Sequence, residues 1–200
     1  MGLLNIVNQN SGDFDPYVKY NANSGRWTMK DDSGAEVEID KPTFVADFDN
    51  IKTGWLYFRE GAAPERVFDA DLRTPATKPD KTYVDDKGKT RDCFNRGFQI
   101  RLFSGDAFGG VVELSSSSMH MCNAINELYE AYDNDKQDGK LPVVSYTGYT
   151  PMKDKFGTNY KPNFEIVKWV DRPEAFDAAP AQAEAAPEPA AVANTGASEF

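Results

Sequence analysis

"GFQIRLFSGDAFGGVVELSSSSMHMCNAINELYEAYDND" occupies residues 97–135, and the change of period inside it decides the fold. Over 97–104 apolar and polar residues alternate, placing Phe98, Ile100 and Leu102 on one side of a strand and Gln99, Arg101 and Phe103 on the other. The aliphatic side reads as core, so the side carrying Arg101 and Phe103 is expected to look outward. A second strand, GVVELS (110–115), runs into serines that can cap a helix N-terminus. Met121, Ile125, Leu128 and Tyr132 then recur at helical spacing and predict one buried stripe on the only convincing helix of the chain.

Working outward, the flanks carry mainly strand signals between Asn/Asp/Gly turns. RWTMK (26–30) and EVEI (36–39) predict a hairpin. TGWLYFR (53–59) places Trp55, Tyr57 and Arg59 on one strand face and Leu56 and Phe58 on the other. After the helix, LPVVSYTGYT (141–150) and NFEIVKWV (163–170) predict two strands, separated by a loop that holds Met152, Lys153, Lys155, Phe156, Tyr160 and Lys161. Three strands, a helix and two strands match a mainly β, five-stranded Greek-key barrel of the OB-fold type, with the helix between strands three and four. The N-terminal hairpin is extra to that plan. Residues 60–96, rich in Asp, Lys and Pro, form a long excursion between the first two barrel strands, and such loops tend to be functional. One domain over 1–176 and a flexible tail over 177–200 are therefore expected.

Net charge is −10, which argues against a nucleic-acid ligand until its distribution is examined. Residues 1–50 carry four basic and nine acidic side chains, and residues 173–200 carry five acids and no base. By contrast, residues 87–101 hold Lys87, Lys89, Arg91, Arg96 and Arg101 against Asp92 alone, and 140–172 hold six basic residues against three acidic ones. Basic charge is concentrated where the aromatics are.

Catalytic signals are weak. His120 is the sole histidine and sits at a helix start among serines, where capping explains it. Cys93 and Cys122 form no CxxC or Cys/His cluster, so neither a disulfide framework nor a zinc site is indicated. The acid pairs Asp31/Asp32, Asp47/Asp49, Asp69/Asp71 and Asp85/Asp86 read as solvated turns rather than metal ligands. No apolar run approaches the roughly 20 residues of a membrane span, and no signal segment is recognisable at the N-terminus.

Single-stranded nucleic acid needs rings to stack its bases and cations to neutralise its backbone on one surface. Trp55, Tyr57 and Arg59 supply both on one strand, and Arg101 and Phe103 on another. Arg91, Phe94 and Arg96 extend the pattern into the excursion. Tyr146, Tyr149, Lys153, Lys155, Phe156, Tyr160 and Lys161 add a third group.

With these stretches, the helix before LPVVSYTGY, the closing NFEIVKWVDRPEAF and a tail ending EAAPEPAAVANTGASEF, the chain resembles bacteriophage single-stranded DNA-binding proteins of the OB-fold replication type. The resemblance implies single-stranded DNA binding without sequence preference in phage DNA replication, recombination and repair, in the cytoplasm of the infected bacterial host. It implies no catalysis, cofactor or metal. It also implies that the tail tip, Glu199 and Phe200, recruits replication proteins such as a DNA polymerase or helicase. Exposed strand edges would allow a homodimer as well as a monomer. The alternative is a β-barrel structural or protein-interaction adaptor that binds no nucleic acid.

Overall fold

The computed structural model describes residues 16–177, with Asp32, Glu60, Gly61 and Phe156 excepted. The tail beyond Asp177, including Glu199 and Phe200, and the ring of Phe156 lie outside the described residues. The fold is mainly β. Strands β1 (Tyr17–Asn21), β2 (Arg26–Lys30) and β3 (Glu36–Ile39) make an antiparallel meander, followed by β4 (Thr43–Ala46). Then come β5 (Lys52–Tyr57), β6 (Glu65–Phe68), the hairpin of β7 (Thr82–Val84) and β8 (Thr90–Asp92), and the long β9 (Asn95–Ser104). A single helical turn, α1 (Gly105–Phe108), leads into β10 (Gly110–Ser116), the helix α2 (Met119–Asp135), and the ribbon of β11 (Lys140–Asp154) with β12 (Gly157–Asp171).

Ten of these strands form one mixed sheet, ordered β12-β11-β4-β9-β10-β1-β2-β3, with β5 and β6 branching from β9. Only β1 against β10 is parallel among the described pairings. The sheet curls strongly. Tyr160 N–H donates to Ala22 O at 2.7 Å, and the Tyr20 hydroxyl donates to Tyr160 O at 3.0 Å, joining β12 to the β1–β2 turn across the width of the sheet. No closed barrel is formed among the described residues. Close strand approach at the β5 branch depends on two glycines. A Cβ at Gly54 would stand 2.4 Å from Val67 O, and one at Gly97 would stand 2.4 Å from Ser116 O.

The curl encloses the main core. Trp27 packs among Tyr20, Phe44, Tyr146 and Phe164 at ring separations of 5.3 to 6.1 Å, a large buried aromatic area inside the curl. Phe98, Ile100 and Leu102 of β9 point into the same core, as expected. So do Met121, Ile125, Leu128 and Tyr132, which makes α2 the element closest to its sequence-based expectation. A smaller apolar cluster lies on the opposite, outer face, where Val45, Leu141 and Val143 meet Phe176.

Two expectations are corrected. The predicted loop between the last two strands is a continuous ribbon, paired out to Asp154 and Gly157. Pro142, Pro151 and Pro162 lie within it, and beyond Ser145 β11 has β12 as its only ladder partner, so a free edge accommodates residues that cannot donate. The excursion at 60–96 is also ordered in part, since it supplies β6 to the main sheet and folds β7–β8 as a separate hairpin. Among the described residues, no helix is long and apolar enough to cross a membrane.

Candidate nucleic-acid interface

Strand register determines which side chains can share a surface. β5 pairs with β9 through Thr53↔Phe98, Trp55↔Arg96 and Leu56↔Asn95. Directly opposed residues of an antiparallel pair point to the same face, so Trp55 lies on the side of Arg96 and Phe98. Arg101 and Phe103 are therefore on the other face of the sheet, with Gln99. The two strand faces expected to make one binding surface lie back to back.

On the inner face, Trp55, Tyr57, Arg59, Phe94 and Arg96 do come together. The guanidinium of Arg96 lies 5.3 Å from the Trp55 ring centre, and Lys78 Nζ lies 5.5 Å from it. Arg59 and Lys81 stand 5.6 and 5.2 Å from the Tyr57 ring. Such placements draw a cation to the electron-rich ring face. Trp55 is fixed at its edge by donating Nε1–H to Ala76 O at 2.9 Å. Phe94 is buried beneath Tyr57, with ring centres 5.7 Å apart, so it supports the platform and offers no face to a base. Arg91 sits in the middle of the β7–β8 hairpin opposite Tyr83, and the hairpin base is closed by Cys93 N–H donating to Lys81 O at 2.9 Å.

Each platform cation also has an acid. Arg96 is bidentate to Asp69 at 2.8 and 2.6 Å, Arg59 and Lys81 share Glu65 at 3.1 and 2.8 Å, Arg91 pairs with Asp85 at 2.9 Å, and Lys78 pairs with Asp92. Asp69 is corrected from a solvated turn acid to a buried anchor, its side chain 3% exposed. The Arg96 hydrogen bonds hold its carboxyl well below the usual carboxylate range, helped by the Thr53 hydroxyl and the Ala76 N–H. Bonds from Lys81 lower Glu65 likewise. Sequence reading missed Lys78, Lys81 and Glu65; the available signal was their place in the Asp/Lys/Pro-rich excursion.

The outer face uses similar residue types for a different task. Arg101 donates to Phe176 O at 2.6 Å and lies 5.7 Å from the Phe176 ring, while Phe103 meets that ring at 6.2 Å. Both residues are thus covered by the turn Glu174–Phe176 and are corrected from base contacts to a clasp on the end of the domain. Arg172 stacks on the same ring at 5.3 Å and binds Asp47 bidentately at 2.8 and 2.9 Å. Asp47 is 1% exposed, so it too is buried and matched rather than a surface turn acid. Asp49 is also engaged, accepting from the Tyr132 hydroxyl at 2.6 Å. Burial and that carboxylate push the Tyr132 phenol up to about 12.

The third predicted group lies along the β11–β12 ribbon. β11 pairs with β4 at Val143–Ser145 and runs on past the start of β4, whereas β5 follows the end of β4. This places the ribbon tip and the Trp55 platform at opposite ends of the β4–β5 segment. Tyr146 is corrected to a core residue, buried with its hydroxyl donating to Gly25 O at 3.2 Å. Tyr149 is exposed and packs edge-on against half-buried Tyr160 at 4.6 Å. Lys153 and Lys155 are exposed, and Lys161 is ion-paired to Glu127 of α2 at 2.5 Å.

Among the described residues, no group of three or more His, Cys, Asp or Glu side chains could hold a metal ion. No family model, no curated protein and no solved structure matches the chain.

Proposed function

We propose that the chain binds single-stranded DNA without sequence preference, on the inner-face platform of Trp55 and Tyr57. In this reading it serves phage DNA replication, recombination and repair in the host cytoplasm, and the tail tip at Glu199 and Phe200 recruits replication proteins. The observation that carries the reading is the presence of two cations within 5.6 Å of each of two neighbouring rings on one strand face. A base that stacks on either ring displaces a cation from it, and the released cation meets the phosphate attached to that base. Each stack would contribute ~1–3 kcal/mol irrespective of base identity. An OB-type barrel is the architecture proposed for the curled sheet, supported by the hydrogen bonds that join β12 to the β1–β2 turn.

A protein-interaction adaptor draws support from the matched charges, because cations already paired to Glu65, Asp69, Asp85 and Asp92 leave little net field. Against it stand Lys78 and Lys81, a residue type depleted in protein interfaces. Intrinsic tryptophan emission, titrated with oligo-dT and with duplex of equal length at two salt concentrations, decides between the readings. Quenching by the single strand alone, weakened by salt, is expected. Absence of quenching and of binding at both salt concentrations overturns the DNA reading and leaves the adaptor.

A further inference from the structure

Behind the platform, between β5, β9 and α2, lies an open cleft of about 450 Å³. Its walls are largely apolar, with Phe98 and Ile125 buried, Ile51 half-buried and Leu72 exposed. Its polar groups are few: the hydroxyl of Thr53, the amides of Asn123 and Asn126, and the phenol of Tyr129. Arg96 is its one charged residue, and it is neutralised by Asp69, whose carboxylate accepts from both Arg96 and the Thr53 hydroxyl at 2.5 to 2.8 Å, so the cleft carries little net charge. A nucleobase is itself uncharged, so a near-neutral, largely apolar cleft suits it better than it would a phosphate.

We infer that this cleft accepts one unstacked nucleobase of a bound single strand, taken up beside the base that stacks on Trp55. This inference rests on the proposed function and deepens it. Continuity supports the occupant: Thr53 lies two residues before Trp55 on the same face, and Arg96 both lines the cleft and stands 5.3 Å from the Trp55 ring. A strand crossing the platform therefore reaches the cleft without leaving the inner face. Chemistry supports it as well. A base presents apolar faces and a polar edge, which suits a cleft of apolar walls with a few amides and hydroxyls at its mouth. Asn126 already orients one N–H toward Glu130 at 2.8 Å, which leaves its carbonyl as an acceptor for a base amino group.

Cys122 lines the cleft and is half-buried, whereas Cys93 is buried against the platform beside Tyr57, so labelling is followed in a Cys93→Ala chain, where Cys122 alkylation alone reports occupancy. The experiment follows maleimide labelling of Cys122 in the full chain, alone and with oligo-dT, an oligonucleotide of abasic sites, or free dTMP. Tryptophan quenching in the same samples reports strand binding. The expected result is at least tenfold slower labelling with oligo-dT and little change with the abasic strand or dTMP. Quenching by oligo-dT with unchanged labelling overturns the cleft assignment but leaves the platform standing. Equal protection by dTMP makes the cleft a mononucleotide site and overturns its link to a strand. Loss of both quenching and protection removes both proposals. Asn123→Phe, at an exposed helical position on the rim, is expected to fill the mouth and weaken oligo-dT binding about tenfold with an unchanged melting temperature; unchanged affinity speaks against the cleft.

Discussion

On opposite faces of β9, arginines and aromatic rings are set against each other in two different ways. The inner face brings Arg96 to Trp55 beside an open cleft, and the outer face brings Arg101 and Phe103 to Phe176 beneath the closing turn of the domain. Residue types alone would give both faces the same role. What separates them is coverage: Phe176 is 3% exposed and completes a small apolar core, whereas Trp55 is half-buried and held by its edge. An Arg/aromatic pattern identifies a surface only after strand parity and the elements packed over it are known.

The largest effects should come from breaking the outer face. Removing Arg172 leaves the Asp47 carboxylate buried with only the Asn50 amide, and uncompensated buried charges of this kind cost about 3 kcal/mol or more. Phe176→Ala should cost about as much through the cavity it leaves. Urea unfolding would show both losses. Oligo-dT affinity, measured where each variant remains folded, is expected to stay within about twofold of the parent. A larger change would mean that the outer face contributes to binding and would dissolve the contrast. The reciprocal variant is Trp55→Ala. Here the expected loss is in oligo-dT affinity, about tenfold to a hundredfold for one lost stack, with a smaller change in the urea midpoint than either clasp variant gives.

How much of this was legible beforehand follows from the kind of signal each element carries. The α2 stripe of Met121, Ile125, Leu128 and Tyr132 was readable because one helix face is buried against one sheet, so periodicity and burial coincide. The Arg26–Lys30 and Glu36–Ile39 hairpin was readable from alternation and its turn. β4 was not, since Thr43–Ala46 is buried almost throughout and short apolar runs carry no period. The relative parity of β5 and β9 was also invisible. It depends on a pairing register set by tertiary contacts, and a shift of one residue would have put Trp55 opposite Gly97 or Asn95, on the face of Arg101. Tyr146 and Phe94 looked like site residues because aromatic content does not distinguish a core ring from an exposed one. Buried Asp47 and Asp69 read as solvated turn acids because their partners, Arg172 and Arg96, lie 125 and 27 residues away in the chain.

Smaller changes can sharpen the platform side of the comparison. Glu65 holds both Arg59 and Lys81, so Glu65→Gln should release two cations from one carboxylate. The expected result is a gain of severalfold in oligo-dT affinity at low salt and a log–log salt dependence steeper by about one unit. A loss of affinity would show that Glu65 positions these cations for DNA rather than competing with it.

The smallest effect concerns Asp69 and its pH dependence. Its carboxyl is held below its ordinary value of 3.8 in the folded chain, chiefly by Arg96. A carboxyl with a depressed folded value binds its proton more readily in the unfolded chain, so it stabilises the fold above the unfolded value and that contribution fades as pH falls below it. Stability of the parent relative to Asp69→Asn should therefore be constant from about pH 5.5 to 8 and shrink on acidification below about pH 4.5. Equilibrium urea unfolding of both chains across pH 3 to 8 checks this. The Asp47→Asn variant makes the control on the other face: its carboxylate is equally buried, but its partner Arg172 lies in the clasp. If oligo-dT binding weakens in Asp69→Asn at neutral pH and not in Asp47→Asn, then Arg96 owes its position over Trp55 to Asp69, and the two arginine–carboxylate pairs differ in purpose as well as in place. Equal effects of the two substitutions on binding would reduce Asp69 to a structural anchor and remove it from the platform.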